Sequence, residues 1–75
     1  MQNQLTNLKF PRGYVELHFQ DGRILKTPVG LFPAIKRLTT KQRRHWQILD
    51  GVGFTFADSD EGFHLRQFGI NEPIN

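Results

Sequence analysis

The stretch from Tyr14 to Thr27 constrains the fold more than any other part of the chain. In Tyr14-Val15-Glu16-Leu17-His18-Phe19-Gln20, Val15, Leu17 and Phe19 fall on one face and Glu16, His18 and Gln20 on the other. A period of two is that of a half-buried strand. Asp21-Gly22 follows, the pair that best supplies positive φ in a tight hairpin turn. Arg23 to Thr27 is the return strand, and Pro28 ends it because it has no ladder donor. Two registers compete. A two-residue loop at Asp21-Gly22 sets Leu17 against Lys26. A three-residue loop, Gln20-Asp21-Gly22 with Gly22 left-handed, sets Leu17 against Leu25 and Glu16 against Lys26. The second matches apolar with apolar on one face and opposite charges on the other, each pair adding roughly 0.2–1 kcal/mol. The three-residue loop is expected.

The rest of the chain is read around this hairpin. Leu8 and Phe10 alternate with polar residues ahead of the turn Pro11-Arg12-Gly13, which marks a short preceding strand. Pro33 suits the first turn of a helix. On a helical wheel Leu31, Ile35, Leu38 and Trp46 share one arc, and Lys36, Arg37, Lys41, Arg43 and Arg44 the opposite one, an amphipathic pattern. Thr39 with Gln42 three residues on reads as a capping box. The choice is one helix from about Pro33 to Trp46 or two short ones broken at Thr39, and the capping signal favours the break. Ile48-Leu49 leads into the turn Asp50-Gly51-Val52-Gly53, and Phe54-Thr55-Phe56 reads as the next strand of a second hairpin. Phe63, Leu65 and Phe68 complete the core candidates. The expected fold is α+β: a small antiparallel sheet with an N-terminal meander or hairpin, one or two short helices and a C-terminal hairpin. It forms a single domain over 1–75, with 1–4 and 71–75 frayed.

Composition limits the classes of function. A chain of 75 residues has room for one domain and buries only about 60 % of the surface its unfolded form exposes. There is no cysteine, so neither disulfides nor thiolate metal sites supplement the core, which fits a reducing cytoplasm. Seven Phe with Trp46 and Tyr14 supply the large apolar side chains instead. No apolar run approaches the roughly 20 residues of a membrane span, and Met1-Gln2-Asn3-Gln4 does not open a signal peptide. The net charge of +3 points towards an acidic partner, either nucleic acid or an acidic protein surface.

The densest chemical feature is the basic run Lys36, Arg37, Lys41, Arg43 and Arg44, which contains no acid. It reads either as a phosphate-facing surface or as the solvated side of an amphipathic helix, the commoner case. No aromatic residue is interleaved with it, as single-strand binding would require, and Trp46 is assigned to the core. Asp58-Ser59-Asp60-Glu61 fails the calcium-loop pattern, because Gly62 stands where a ligand is needed; it reads as a turn with helix-capping carboxylates. His18, His45 and His64 lack metal-ligand spacing. Ser59 sits on no nucleophile elbow, and no glycine loop precedes a Lys-Ser/Thr pair. Catalytic residues, metal ligands, cofactors and a small-molecule substrate are therefore not expected, and an enzyme is not expected.

The order of motifs resembles a small bacterial family, domain of unknown function 2442. The matching features are the strand ending Phe19-Gln20-Asp21-Gly22-Arg23, Leu31-Phe32-Pro33, and Gln42-Arg43-Arg44-His45-Trp46 with Ile48-Leu49. Gly51-Val52-Gly53, Phe54-Thr55-Phe56 and Asp60-Glu61 follow in order, so the resemblance runs from about Tyr14 to Phe68. It departs at Phe56, where the family usually has Trp, and at Gly62, where it has another acid. The resemblance implies a compact α+β fold without established catalysis. Some members carry a helix-turn-helix domain, for which there is no room after Phe68. Others are encoded beside a second small protein in pairs that look like toxin–antitoxin modules. The expectation is a non-enzymatic, cytoplasmic interaction module, antitoxin-like or regulatory, that binds a cognate small protein. The other reading is nucleic-acid binding through Lys36, Arg37, Lys41, Arg43 and Arg44. Exposed strand edges also open a route to self-association.

Overall fold

A computed structural model describes residues 4–69 of the chain. Strands β1 (Leu5–Lys9), β2 (Tyr14–Phe19) and β3 (Ile24–Pro28) form one antiparallel sheet in sequence order. Strands β4 (Trp46–Leu49), β5 (Gly53–Phe56) and β6 (Gly62–His64) form a second. The connection between the sheets holds a 3-10 turn at Val29–Leu31 and two single-turn helices, α1 (Pro33–Lys36) and α2 (Thr40–Arg43). A second 3-10 turn, Leu65–Phe68, ends at Gly69 in the left-handed region. The architecture is α+β, as expected. Its sheet is divided in two, and the C-terminal hairpin gains a third strand, β6, whose three residues are too few to show a period.

The first hairpin adopts the three-residue loop. Leu17 pairs with Leu25 and Glu16 with Lys26. The Phe19 N–H donates to the Arg23 carbonyl at 2.9 Å, and the Gly22 N–H donates to the Phe19 carbonyl at 3.0 Å. Gly22 has φ 94°, the left-handed residue that closes such a loop. The side chains of the charged pair find other partners: the Lys26 ammonium lies 4.7 Å from the Tyr14 ring centre, and Glu16 bonds His18 Nε2 at 3.1 Å. The second hairpin turns through Asp50 and Gly51, both with positive φ, and aligns Ile48 with Phe54 and Trp46 with Phe56.

Strand β1 contains a device that alternation does not disclose. Leu5 and Leu8 are both 3 % exposed although they are three residues apart. A bulge between Leu5 and Asn7 inserts Thr6 as an extra residue opposite β2, which resets the alternation and turns both leucines inward. Gln4, expected to fray, is held: its carbonyl accepts from the Gln20 N–H at 2.8 Å. The other positions expected to fray, 1–3 and 71–75, lie outside the described residues.

The two sheets and their connection share one core. Leu5, Leu8, Val15, Leu17 and Phe19 come from the first sheet, Phe54, Phe56 and Phe63 from the second, and Val29, Ile35 and Leu65 from the turns and α1. Each such side chain contributes about 1.5–3 kcal/mol on burial. Phe54 is fully buried, and its ring lies 5.3 to 5.7 Å from those of Phe56, Phe63 and Phe68. Phe68 stacks on Phe32 at 4.3 Å, and Phe56 meets Phe10 at 5.9 Å. A run of rings therefore crosses the molecule from the start of α1 to the end of β1.

The chain breaks at Thr39. Thr39 Oγ1 accepts from the Gln42 N–H at 3.1 Å, and Gln42 Oε1 accepts from the Thr39 N–H at 2.8 Å, a complete capping box. This break overturns the wheel that placed Leu31 and Trp46 on one apolar arc. Leu31 is 69 % exposed in the 3-10 turn, and Trp46 belongs to β4. A wheel needs an uninterrupted advance of about 100° per residue, and two separate turns do not supply it.

Candidate nucleic-acid interface

The five basic residues do not lie on one continuous helix. Lys36 ends α1 and Arg37 caps it; Lys41 and Arg43 lie on α2, which Arg44 caps. Lys36, Arg37, Lys41 and Arg44 are exposed, and Arg43 is half-buried. Arg43 turns back onto α1. Its Nε donates to the Ile35 carbonyl at 3.3 Å and its Nη2 to the Lys36 carbonyl at 3.1 Å. The last carbonyls of a helix have no partner within it, and a guanidinium offers several donors in a fixed fork. The same guanidinium lies 6.0 Å from the centre of the Phe10 ring, at the outer limit of cation–π attraction. Arg43 therefore clamps α1, α2 and the end of β1 together. No ion pair engages any of the five among the described residues.

Between the end of β1 and α2 lies an open cleft of about 310 Å³. Its charged lining is Lys9, Arg43 and Arg44, its aromatic lining is Phe10 and Trp46, and Leu8 and Thr40 complete it. No carboxylate lines it. Trp46 packs on the core with part of its surface left open, so it is half-buried. The expectation that aromatic residues are missing from the basic region is thereby corrected. They share the cleft with the cations although the two rings are distant from each other in sequence: Phe10 follows β1 directly and Trp46 opens β4. Lys9 is not singled out by sequence, where it is one polar position in a short strand; only the fold places it in the same cleft as Arg44.

The remaining candidates have structural roles. The segment Asp58 to Glu61 joins β5 to β6; the Glu61 N–H donates to Ser59 Oγ at 3.1 Å, and Thr55 Oγ1 donates to the Glu61 carbonyl at 2.8 Å. It does not cap a helix, because a strand follows it. The second cap belongs to His64, whose Nδ1 accepts from the Arg66 N–H at 3.0 Å. No group of three or more His, Asp or Glu among the described residues is placed to hold a metal ion. No helix among them is long and apolar enough to cross a membrane. No family model matches the chain, and neither the curated proteins nor the solved structures contain a match to it.

Proposed function

We propose that this protein is a non-enzymatic, cytoplasmic binding module that engages nucleic acid through the basic surface around the β1–α2 cleft. The observation that carries this reading is the cleft lining: three cations and two aromatic rings with no carboxylate among them. Lys41, Lys36 and Arg37 add positive charge on the connection between the sheets, exposed and without ion pairs among the described residues. Cations on a nucleic acid displace condensed counterions, so affinity falls with salt by about 0.7 to 0.9 in log–log slope for each phosphate neutralised. A mobility shift titrated with salt tests the reading. Replacing Lys41 and Arg44 together with alanine is expected to weaken binding evenly across sequences and to lower the slope by about 1.4–1.8. Unchanged affinity and slope refute the reading. Arg43 is left intact in this test because it ties the two helices together.

The second reading is a cognate small-protein partner, in an antitoxin-like or regulatory pair as the family resemblance implies. It is supported by exposed apolar side chains away from the cleft, Ile24 at 56 % and Leu31 at 69 % exposure, and by β3, an edge strand of its sheet, which offers backbone groups for pairing with a partner or a second copy. Co-purification with the product of an adjacent gene tests the partner, and sedimentation at two concentrations tests self-association. A solitary monomer in both removes this reading.

A further inference from the structure

We infer that the β1–α2 cleft takes a single strand, with a base stacked against Trp46 and Phe10 and its flanking phosphates on Lys9 and Arg44. This rests on the nucleic-acid reading above and deepens it. Three observations favour a single strand over a duplex. The helices that carry the charge are four residues each, about 6 Å long at 1.5 Å per residue, too short to serve as a recognition helix in a major groove. The cleft is small, about 310 Å³ and at the lower end of the range for ligand sites, which suits a single base better than a duplex. Its lining pairs aromatic rings with cations, which is how sequence-tolerant single-strand sites combine stacking with backbone attraction. The cations come from two separate elements, Lys9 from β1 and Arg44 from the end of α2, and supply two points of phosphate contact beside a stacked base. Arg43 acts as a positioning residue: its fork is held by the carbonyls of Ile35 and Lys36 beside the Phe10 ring.

Trp46 is the one tryptophan of the chain, so its fluorescence reports directly on the cleft. The experiment titrates the full chain at low salt with oligothymidylate of about eight nucleotides, within the usual range of single-strand site sizes. A blunt duplex and thymidine monophosphate are run in parallel. Saturable quenching by the oligonucleotide, reversed by salt and absent with the other two at the same concentration, is the expected result. Binding of duplex and single strand alike without any change at Trp46 overturns the inference and leaves the nucleic-acid reading standing. Equal quenching by the mononucleotide also overturns it, since the site is then one for a free nucleotide. No binding of either polymer removes the inference and the broader reading together. Lys9→Ala and Arg44→Ala change exposed side chains and are each expected to lower the salt slope by about 0.7. Trp46→Leu, followed by anisotropy of a labelled oligonucleotide, is expected to bind roughly 5- to 150-fold more weakly. Should that variant lose its fold, quenching of the wild-type protein and the two cation variants still decide the matter.

Discussion

Two glycines in the second sheet are expected to respond to the same substitution with opposite sign. Gly53 opens β5 and is buried, paired with His64 of β6. A methyl group added there would lie 2.5 Å from the Phe63 carbonyl oxygen, well inside the 3.5–4.0 Å of a favourable non-bonded contact. The obstacle is backbone, held in the ladder between β5 and β6, so it cannot rotate away as a side chain would. The strands must separate, and overpacking of this kind costs about 1–3 kcal/mol. At Gly62, across the ladder beside Thr55, the added methyl would meet Leu49 Cδ1 at 4.0 Å, an ordinary contact. Neither glycine has positive φ, so backbone strain does not enter either case. Gly62→Ala is therefore expected to stabilise by about 0.5–1 kcal/mol, by restricting the unfolded chain. With about 4–8 °C per kcal/mol for a domain of this size, Gly53→Ala should lower Tm by about 4–24 °C and Gly62→Ala should raise it by about 2–8 °C. Thermal melts followed by circular dichroism measure both. A Gly53→Ala protein that melts at or above the wild-type temperature would show that β5 and β6 do not approach as described, and the steric argument would fail.

Three further outcomes follow from the packing. Thr39→Ala removes the hydroxyl that accepts from the Gln42 N–H; a loss of about 1 kcal/mol is expected, read as a lower denaturation midpoint with an unchanged denaturant slope. Arg43→Lys keeps the charge but not the fork that meets two carbonyls, and should destabilise by about 0.5–1.5 kcal/mol; a midpoint equal to wild type would contradict the clamp. Phe54→Ala empties the centre of the ring cluster at a cost of about 3–5 kcal/mol. A 75-residue domain has only about 4–11 kcal/mol in all, so a fall in Tm of about 12–40 °C is expected, and a melt within a few degrees of wild type would count against the core described.

Features set by short-range rules were legible in the residues. The alternation of Val15, Leu17 and Phe19, the left-handed Gly22 and the matching of Leu17 with Leu25 defined the first hairpin down to its register. Thr39 and Gln42 announced the helix break from three residues apart. Phe63 and Leu65 were identifiable as core by type and both are buried. Each of these depends on neighbours within one turn or one hairpin, so the sequence carries the whole interaction.

What the sequence left open depends on where distant segments meet. The bulge at Thr6 makes Leu5 and Leu8 cofacial only because β2 lies beside them, and alternation alone puts them on opposite faces. The destination of Arg43 turns on the carbonyls of Ile35 and Lys36 at the end of α1, which the break at Thr39 brings within reach. The cleft needs Lys9 from β1, Phe10 just beyond it, Arg44 from the end of α2 and Trp46 from β4 at one place. By itself the sequence determined a small α+β domain with a defined hairpin and a concentration of positive charge. Only the tertiary structure decided that this charge stands beside open aromatic surface, because that juxtaposition is made by packing between elements and is written in no local pattern.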